Sequence, residues 1–199
     1  TAGEAVYIAM HVPPGIDGFS GNPNWSADLF YEGTDAGFAG RPMQDVLLDR
    51  IAGHASVIRG VIAGHTHLNG IRRLHACDAG ATMSELLVSI PGVSTDHHNN
   101  PAVKVFHLDS ALEPVDVTTY TATSGGEAGA GYSWTHLESF SFRTNYPNQT
   151  PPGATLMDQI ESMSASDRWQ GMWDYLYARY DTGGNPRNYR RALDTYCSQ

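Results

Sequence analysis

The sequence predicts a mixed α/β (α+β) fold with a helical C-terminal region, and three observations carry this prediction. Short apolar runs alternate with turns rich in glycine and proline, which is typical of strands. The segment from Pro42 to His54 has apolar residues at the spacing of one helix face, and helical spacing returns after residue 164. The length of 199 residues suffices for a domain with its own core.

The first element is a strand. Tyr7 to Met10 form an apolar run, which we expect to be buried. Pro13 and Pro14 end the run because proline cannot donate a hydrogen bond to a neighbouring strand. His11 is therefore predicted at a strand end, beside a stiff turn.

Residues 12 to 41 are rich in Gly, Pro, Asn and Asp and predict a long surface loop, of the kind that often carries function. Its aromatic residues either anchor the loop or line a substrate cleft. They are Trp25, Phe30, Tyr31 and Phe38.

A helix follows this loop. Pro42 suits its first position and Gly53 marks its end. The apolar side chains that share one face, and that we expect to be buried, are Met43, Val46, Leu47 and Ile51.

Strands dominate the middle of the chain. Val57 to Ala63 is apolar on both faces, which predicts a central strand. Four more candidates follow so closely that they favour an antiparallel or mixed sheet: residues 71–76, 84–90, 102–109 and 114–122. The glycine-rich segment 123–131 predicts a flexible connector. The expected organisation is thus 1–122, a connector at 123–131, and a helical region at 132–199.

That C-terminal region contains a predicted helix that Ser164 or Ser166 could cap. Its apolar stripe is interpreted as a face packed on the domain, in preference to a partner or lipid surface: Trp169, Met172, Trp173, Leu176 and Tyr180. A last short helix is predicted from Arg187 to Tyr196.

Charge excludes one class of partner. The chain has 21 acidic and 12 basic residues, for a net charge of −9, which disfavours nucleic-acid binding. The adjacent pairs Arg72-Arg73 and Arg190-Arg191 are expected to be solvated. No apolar run approaches the roughly 18 residues that predict a transmembrane segment.

The two cysteines, Cys77 and Cys197, are either buried thiols or a structural disulfide of an exported protein. A disulfide would close a loop of more than a hundred residues and pin the C-terminus to the domain.

Two of the nine histidines follow a buried strand and a glycine in "VIAGHTH". Gly64 lets the chain turn directly off the strand, so His65 and His67 can project from one tight loop. Their imidazoles suit zinc, iron, manganese, nickel or copper. His11, at the end of another strand, is the third candidate. His54, His107 and His136 are interpreted as ordinary core or surface residues.

These residues carry a family resemblance. "VIAGHTH" resembles the last signature of the calcineurin-like metallophosphoesterases, and "YIAMHVPPG" resembles the strand end with a single histidine that precedes it there. The order "HVPPG", "GHTH" and "LLVSIPGVSTDHHNNPAVKVFHLD" is similar to the acid sphingomyelinase-like phosphodiesterase subfamily. The resemblance covers residues 5–122 well and the tail more loosely. It implies part of a two-sheet β-sandwich flanked by helices.

The resemblance also implies a dinuclear centre, in which His11 and His65 bind one metal and His67 binds the other. Two divalent ions are expected, with zinc first and iron or manganese as alternatives. Such a pair polarises phosphoryl oxygens and activates water. The implied activity is hydrolysis of a phosphoric diester by an extracytoplasmic enzyme, whether secreted, periplasmic or lysosome-like. The substrate would be a small phosphodiester or a phospholipid headgroup.

The loop from Ile16 to Arg41 and the turn from Ser94 to Asn100 would lie nearest the substrate. Within that turn, His97, His98 and Asn99 could contact phosphate, or they could be exposed turn residues.

The family's Asp-x-His pair, bridging Asp and Asn-His pair have no counterpart before His11, which only ten residues precede. The chain is therefore expected to be the C-terminal half of such an enzyme, inactive alone, with the N-terminal half as a partner. A self-standing domain with a mononuclear site and a non-catalytic binding module are the alternatives.

Overall fold

The structure, a computed structural model, describes residues 4–17, 20–26, 28–67, 69–94, 100–124, 132–149, 152–163 and 194–197. In chain order its elements are β1 (Val6–Met10), α1 (Met43–Gly53), β2 (Ile58–Ala63), β3 (Gly70–His75), β4 (Met83–Ser89), β5 (Ala102–Leu108), β6 (Pro114–Ser124), β7 (Tyr132–Ser141), α2 (Phe142–Asn145), a 3₁₀ turn (Pro147–Gln149), α3 (Leu156–Ser162) and β8 (Asp194–Thr195). This mixed content confirms the predicted α+β class.

The chain divides into two compact units. The first comprises Thr1–His65, Ile71–Val88 and Asn185–Gln199, and the second comprises Thr66–Gly70 and Ser89–Gly184.

The first unit is built on a five-stranded sheet with the order β1-β2-β4-β3-β8, in which β1 runs parallel to β2 and β3 runs parallel to β8. Leu48 and Ile51 of α1 are fully buried in the same apolar cluster as Val61, Leu74 and Leu87 of the sheet. The predicted central position of β2 is confirmed, because it has a neighbouring strand on each side.

One detail of the sequence prediction is wrong in this unit. Among the described strands, β1 lies at the sheet edge, so its side chains are not fully buried, and Val6 is 44% exposed. In α1, the predicted Val46 and Ile51 are buried and Leu47 packs against the core cluster, which also contains the fully buried Leu48. Pro42 precedes the first helical residue, and Gly53 ends the helix as predicted.

The second unit contains an antiparallel sheet with the order β5-β6-β7. The carboxylate of Asp116 on β6 is buried and accepts hydrogen bonds from the backbone N–H groups of Val117 (2.8 Å) and Phe142 (3.1 Å), which fixes the start of α2. Helix α3 begins with a capping box, in which Thr155 and Asp158 satisfy each other's backbone N–H groups.

The five strands predicted between residues 57 and 122 are confirmed within about two residues, apart from the longer β6. This strand continues to Ser124, into the expected connector, and residues 125–131 lie outside the described residues. The domain boundaries and the sandwich stay predictions, whereas the region predicted to be helical from residue 132 begins with strand β7. The predicted apolar stripe from Trp169 to Tyr180 also lies outside the described residues.

The predicted final helix is wrong at its C-terminal end. Asp194 and Thr195 form strand β8, because they pair with Arg73 and Leu74 of β3. None of the helices in the described part of the chain has the length and apolar character that a membrane crossing requires.

Side chains also hold this C-terminal segment. Cys77 and Cys197 form a disulfide, which settles the alternative left open by the sequence. Asp194 accepts hydrogen bonds from Arg73 (2.7 Å) and is 2.9 Å from Nε2 of His75. Burial raises the pKa of Asp194, but the bonds with Arg73 and His75 outweigh burial and lower it below its ordinary value. The ring of Tyr196 stacks on His75, with centroids 4.3 Å apart.

The prediction that Arg72 and Arg73 are solvated is also wrong. Arg72 is only 4% exposed, and its guanidinium donates to the backbone oxygen of Pro14 at 2.9 Å. Burial lowers the pKa of Arg72 to about 10, while the charge of Asp17 opposes that shift, so the group stays charged at neutral pH.

Candidate functional site

Two of the predicted ligands, His11 and His65, lie together at one edge of the larger sheet. Strands β1 and β2 are parallel, with Met10 paired to Ala63, so both histidines follow the carboxyl ends of neighbouring strands. The N–H of Gly64 donates to the backbone oxygen of His11 at 3.0 Å and ties the two strand ends together. Such edges are where open α/β sheets bind ligands.

The two imidazole rings are close enough to share an ion. Their centroids are 5.2 Å apart, their planes are inclined by 75°, and both side chains are exposed. Two imidazoles bound to one tetrahedral zinc would have centroids roughly 5 Å apart, since each nitrogen would lie ~2.0–2.1 Å from the ion. The pair therefore fits a divalent metal of the kind that imidazole prefers.

The loop that carries His65 has an unusual backbone. His65 has φ of 69° and His67 has φ of 55°, both in the left-handed region that residues other than glycine rarely adopt. Conformations of this kind cluster at functional sites, where the surrounding structure holds them in place. Here the backbone oxygen of His67 accepts a hydrogen bond from the N–H of Gly92 at 3.3 Å, within the second unit.

A close approach to His67 explains why residue 92 is a glycine. A Cβ on Gly92 would lie 3.2 Å from the side chain of His67, so a larger residue would push against that ring. The structure thus places His67 in the second unit, against a backbone that requires a small residue.

The turn after His11 is held from three sides. We call residues 12–15 the His11 turn; Pro13, Pro14 and Gly15 are buried. The indole N–H of Trp25 donates to the oxygen of Val12 (3.1 Å), and Arg72 donates to the oxygen of Pro14. The N–H of Gly15 donates to Oε1 of Gln44 (2.8 Å). Two prolines alone predict a stiff turn, and these three side chains fix where it lies.

Sequence reasoning missed Gln44 and Arg72 as parts of this site. Each lies far from the turn in sequence, and neither belongs to a motif. The available signal was the charged pair Arg72-Arg73 inside a strand, since a buried arginine requires a specific acceptor.

Three of the four aromatic residues of the long loop make anchoring contacts, whereas Phe30 is 44% exposed. The hydroxyl of Tyr31 donates to Asp35 at 2.8 Å, and the rings of Tyr31 and Phe38 meet edge to face. The guanidinium of Arg50, from α1, lies 4.2 Å from the centroid of Phe38. Together with the Trp25 bond, these contacts favour the anchoring interpretation.

Several other histidines and Asn99 fall into two groups. His97, His98 and Asn99 fall outside the described residues. His54 and His107 make ordinary hydrogen bonds, to the backbone oxygen of Arg50 and to the hydroxyl of Thr118.

A further group that places three metal-binding side chains together consists of Asp45, Cys77 and Cys197. Because its two sulfurs are joined as a disulfide, we interpret this group as structural.

Comparison with known proteins agrees with the resemblance. The chain is 34% identical over 129 residues to acid sphingomyelinase-like phosphodiesterase 3b of Homo sapiens, and 30% identical over 128 residues to the Mus musculus protein of that name. The matches cover 60% and 59% of this chain and 25% of each relative, so the chain spans about a quarter of their length. No family model matches the chain. The similarity confirms the predicted resemblance to this subfamily.

Proposed function

We propose that this chain forms part of a metal-dependent phosphodiesterase, in which His11 and His65 bind one divalent ion. The observation that carries the proposal is the pairing of their rings, 5.2 Å apart, at the ends of two parallel strands. The relatives, which are named as phosphodiesterases, support the same chemistry. The family resemblance assigns His67 to the second ion of a dinuclear centre.

Ions bound by these histidines would polarise the phosphoryl oxygens of a diester and make water more acidic. The chain's own contribution is to present imidazole nitrogens from a fixed backbone. The His11 turn and the hydrogen bond between Gly64 and His11 hold the backbone that carries these rings. Zinc is the proposed metal, with iron or manganese as alternatives, because all three accept imidazole ligands.

We further propose that the centre is only partly supplied by this chain. Three histidines leave a dinuclear centre without a bridging carboxylate and without a group to protonate the leaving oxygen. The partner would be the N-terminal half of the same fold, which would supply both. The substrate would be a small phosphodiester or a phospholipid headgroup. The disulfide supports an extracytoplasmic location, because such bonds persist in oxidising compartments.

The experiment measures zinc-dependent hydrolysis of bis(4-nitrophenyl) phosphate by this chain assembled with the N-terminal half that is proposed to complete the centre. His65→Ala is expected to lower kcat/KM by more than about 100-fold, since partners that only orient a metal ligand already contribute about 10–100-fold. His54→Ala is the matched control, because the ring of this exposed histidine is hydrogen-bonded to a backbone oxygen of its own helix. Equal rates for the wild type and His65→Ala would contradict the proposal, and the 199-residue chain alone is expected to be inactive.

A further inference from the structure

The side chain of Gln44 connects the His11 turn to the C-terminal segment, residues 194–197. Its Oε1 accepts the hydrogen bond from the N–H of Gly15 at 2.8 Å, and its Nε2 donates to the backbone oxygen of Tyr196 at 2.9 Å. A backbone N–H can only donate and a backbone oxygen can only accept, so these partners fix the orientation of the amide. One side chain therefore bridges two segments about 180 residues apart in sequence, each through a backbone atom.

The two segments also touch directly. Gly15 has φ of +87°, and a Cβ added to it would collide with the side chain of Thr195, which is 1% exposed. The same Cβ would lie 3.1 Å from Nη1 of Arg72, the group that donates to Pro14. The His11 turn therefore packs against the C-terminal segment.

The C-terminal segment needs support from outside itself. Within the described residues, strand β8 has two residues, far fewer than a strand that is stable by its own pairing. What keeps it in place is the disulfide from Cys77 to Cys197, together with the contacts of Asp194 to Arg73 and His75. Both cysteines are only partly buried.

We propose that Gln44 is a positioning residue for His11, and that through Gln44 the Cys77–Cys197 disulfide controls how tightly the histidine pair binds metal. This inference rests on the proposed function of His11 and His65 and adds a means of regulation to it. Reduction by a dithiol breaks the S–S bond and delivers two electrons and two protons, leaving two thiols while the dithiol becomes a disulfide. The C-terminal segment then loses its covalent link, and Gln44 loses its fixed acceptor.

The test measures two quantities in the oxidised and reduced protein: hydrogen exchange at the Gly15 amide, and zinc affinity by competition with a chromophoric chelator. Exchange at Gly15 reports the hydrogen bond to Gln44 whether or not metal binds. In the wild type, reduction is expected to accelerate exchange at Gly15 and to weaken zinc binding about 10-fold, the lower end of the effect of an indirect ligand partner.

Two variants separate positioning from simple stability. Gln44→Ala removes both bonds, so the oxidised variant should already exchange Gly15 rapidly and bind zinc about 10-fold more weakly. Gln44→Glu keeps an acceptor for the Gly15 N–H but cannot donate to Tyr196. Because it lacks the bond that reduction is proposed to release, its oxidised form should already show the faster Gly15 exchange and the weaker zinc binding of the reduced wild type, with no further response of either to reduction.

The amide of Val117, which donates to Asp116 in the second unit, is the reference for global unfolding. If reduction accelerates hydrogen exchange at Val117 and Gly15 equally, it has destabilised the whole fold. The oxidised Gln44 variants then test the proposal in its place. The proposal would be overturned if oxidised Gln44→Ala exchanged the Gly15 amide as slowly as the oxidised wild type. It would also be overturned if the reduced wild type kept the Gly15 exchange rate and the zinc affinity of the oxidised protein. Failure of the wild type to bind zinc would instead contradict the proposed function. Hydrogen exchange at Gly15 would still show whether the disulfide affects the hydrogen bond between Gly15 and Gln44.

Discussion

Replacing Cys77 and Cys197 together with serine is expected to lower the free energy of unfolding by about 4–5 kcal/mol. The two cysteines are 120 residues apart, so their bond removes much of the conformational entropy of the unfolded chain. Both also pack against the core cluster around Leu48, which ties the loop to the most buried part of the first unit. Urea denaturation followed by circular dichroism measures the change.

The matched control for this double variant is the wild type treated with a dithiol, which should unfold at a similar urea concentration. A loss of less than about 1 kcal/mol would show that the unfolded chain is already compact enough for the bond to matter little. That result would contradict the view that the disulfide is the main support of β8.

Gly15→Ala is expected to lower the free energy of unfolding by about 3 kcal/mol. The left-handed backbone costs an alanine roughly 1–2 kcal/mol, and overpacking of a buried contact costs about 1–3 kcal/mol more. The contact in question is with Thr195, whose side chain occupies the space of the new methyl group. Thermal or urea unfolding measures the loss.

Gly37→Ala separates the two causes. Gly37 has nearly the same backbone angle, with φ of +85°, but a Cβ there meets no heavy atom within 4 Å. It should cost only about 1–2 kcal/mol, the backbone contribution alone. If both alanine variants lose the same stability, the contact between the His11 turn and the C-terminal segment contributes nothing.

The strands were predictable because their evidence is local. Each has an apolar run bounded by turn residues, and β2 could be placed inside a sheet because it is apolar on both faces. The edge position of β1 could not be predicted in the same way. Its residues are at least as apolar as those of β2, and only the pairing order of the described strands places it at an edge.

The histidine pair was predicted from its position after two strands and from the family resemblance, and the structure brings His11 and His65 together. What supports them was not predictable from local pattern. Gln44 and Arg72 act through backbone atoms that are remote in sequence, and Asp194 pairs with a strand more than a hundred residues earlier. Long-range contacts of single polar side chains produce no periodic pattern of residue types in the sequence.

The central claim is that His11 and His65 bind one divalent ion together, and zinc affinity in a double-mutant cycle tests it most directly. His11→Ala and His65→Ala should each weaken zinc binding by more than about 100-fold. Because both act on the same ion, the double variant should bind little more weakly than either single variant. An affinity that either single variant leaves unchanged would contradict a shared metal site.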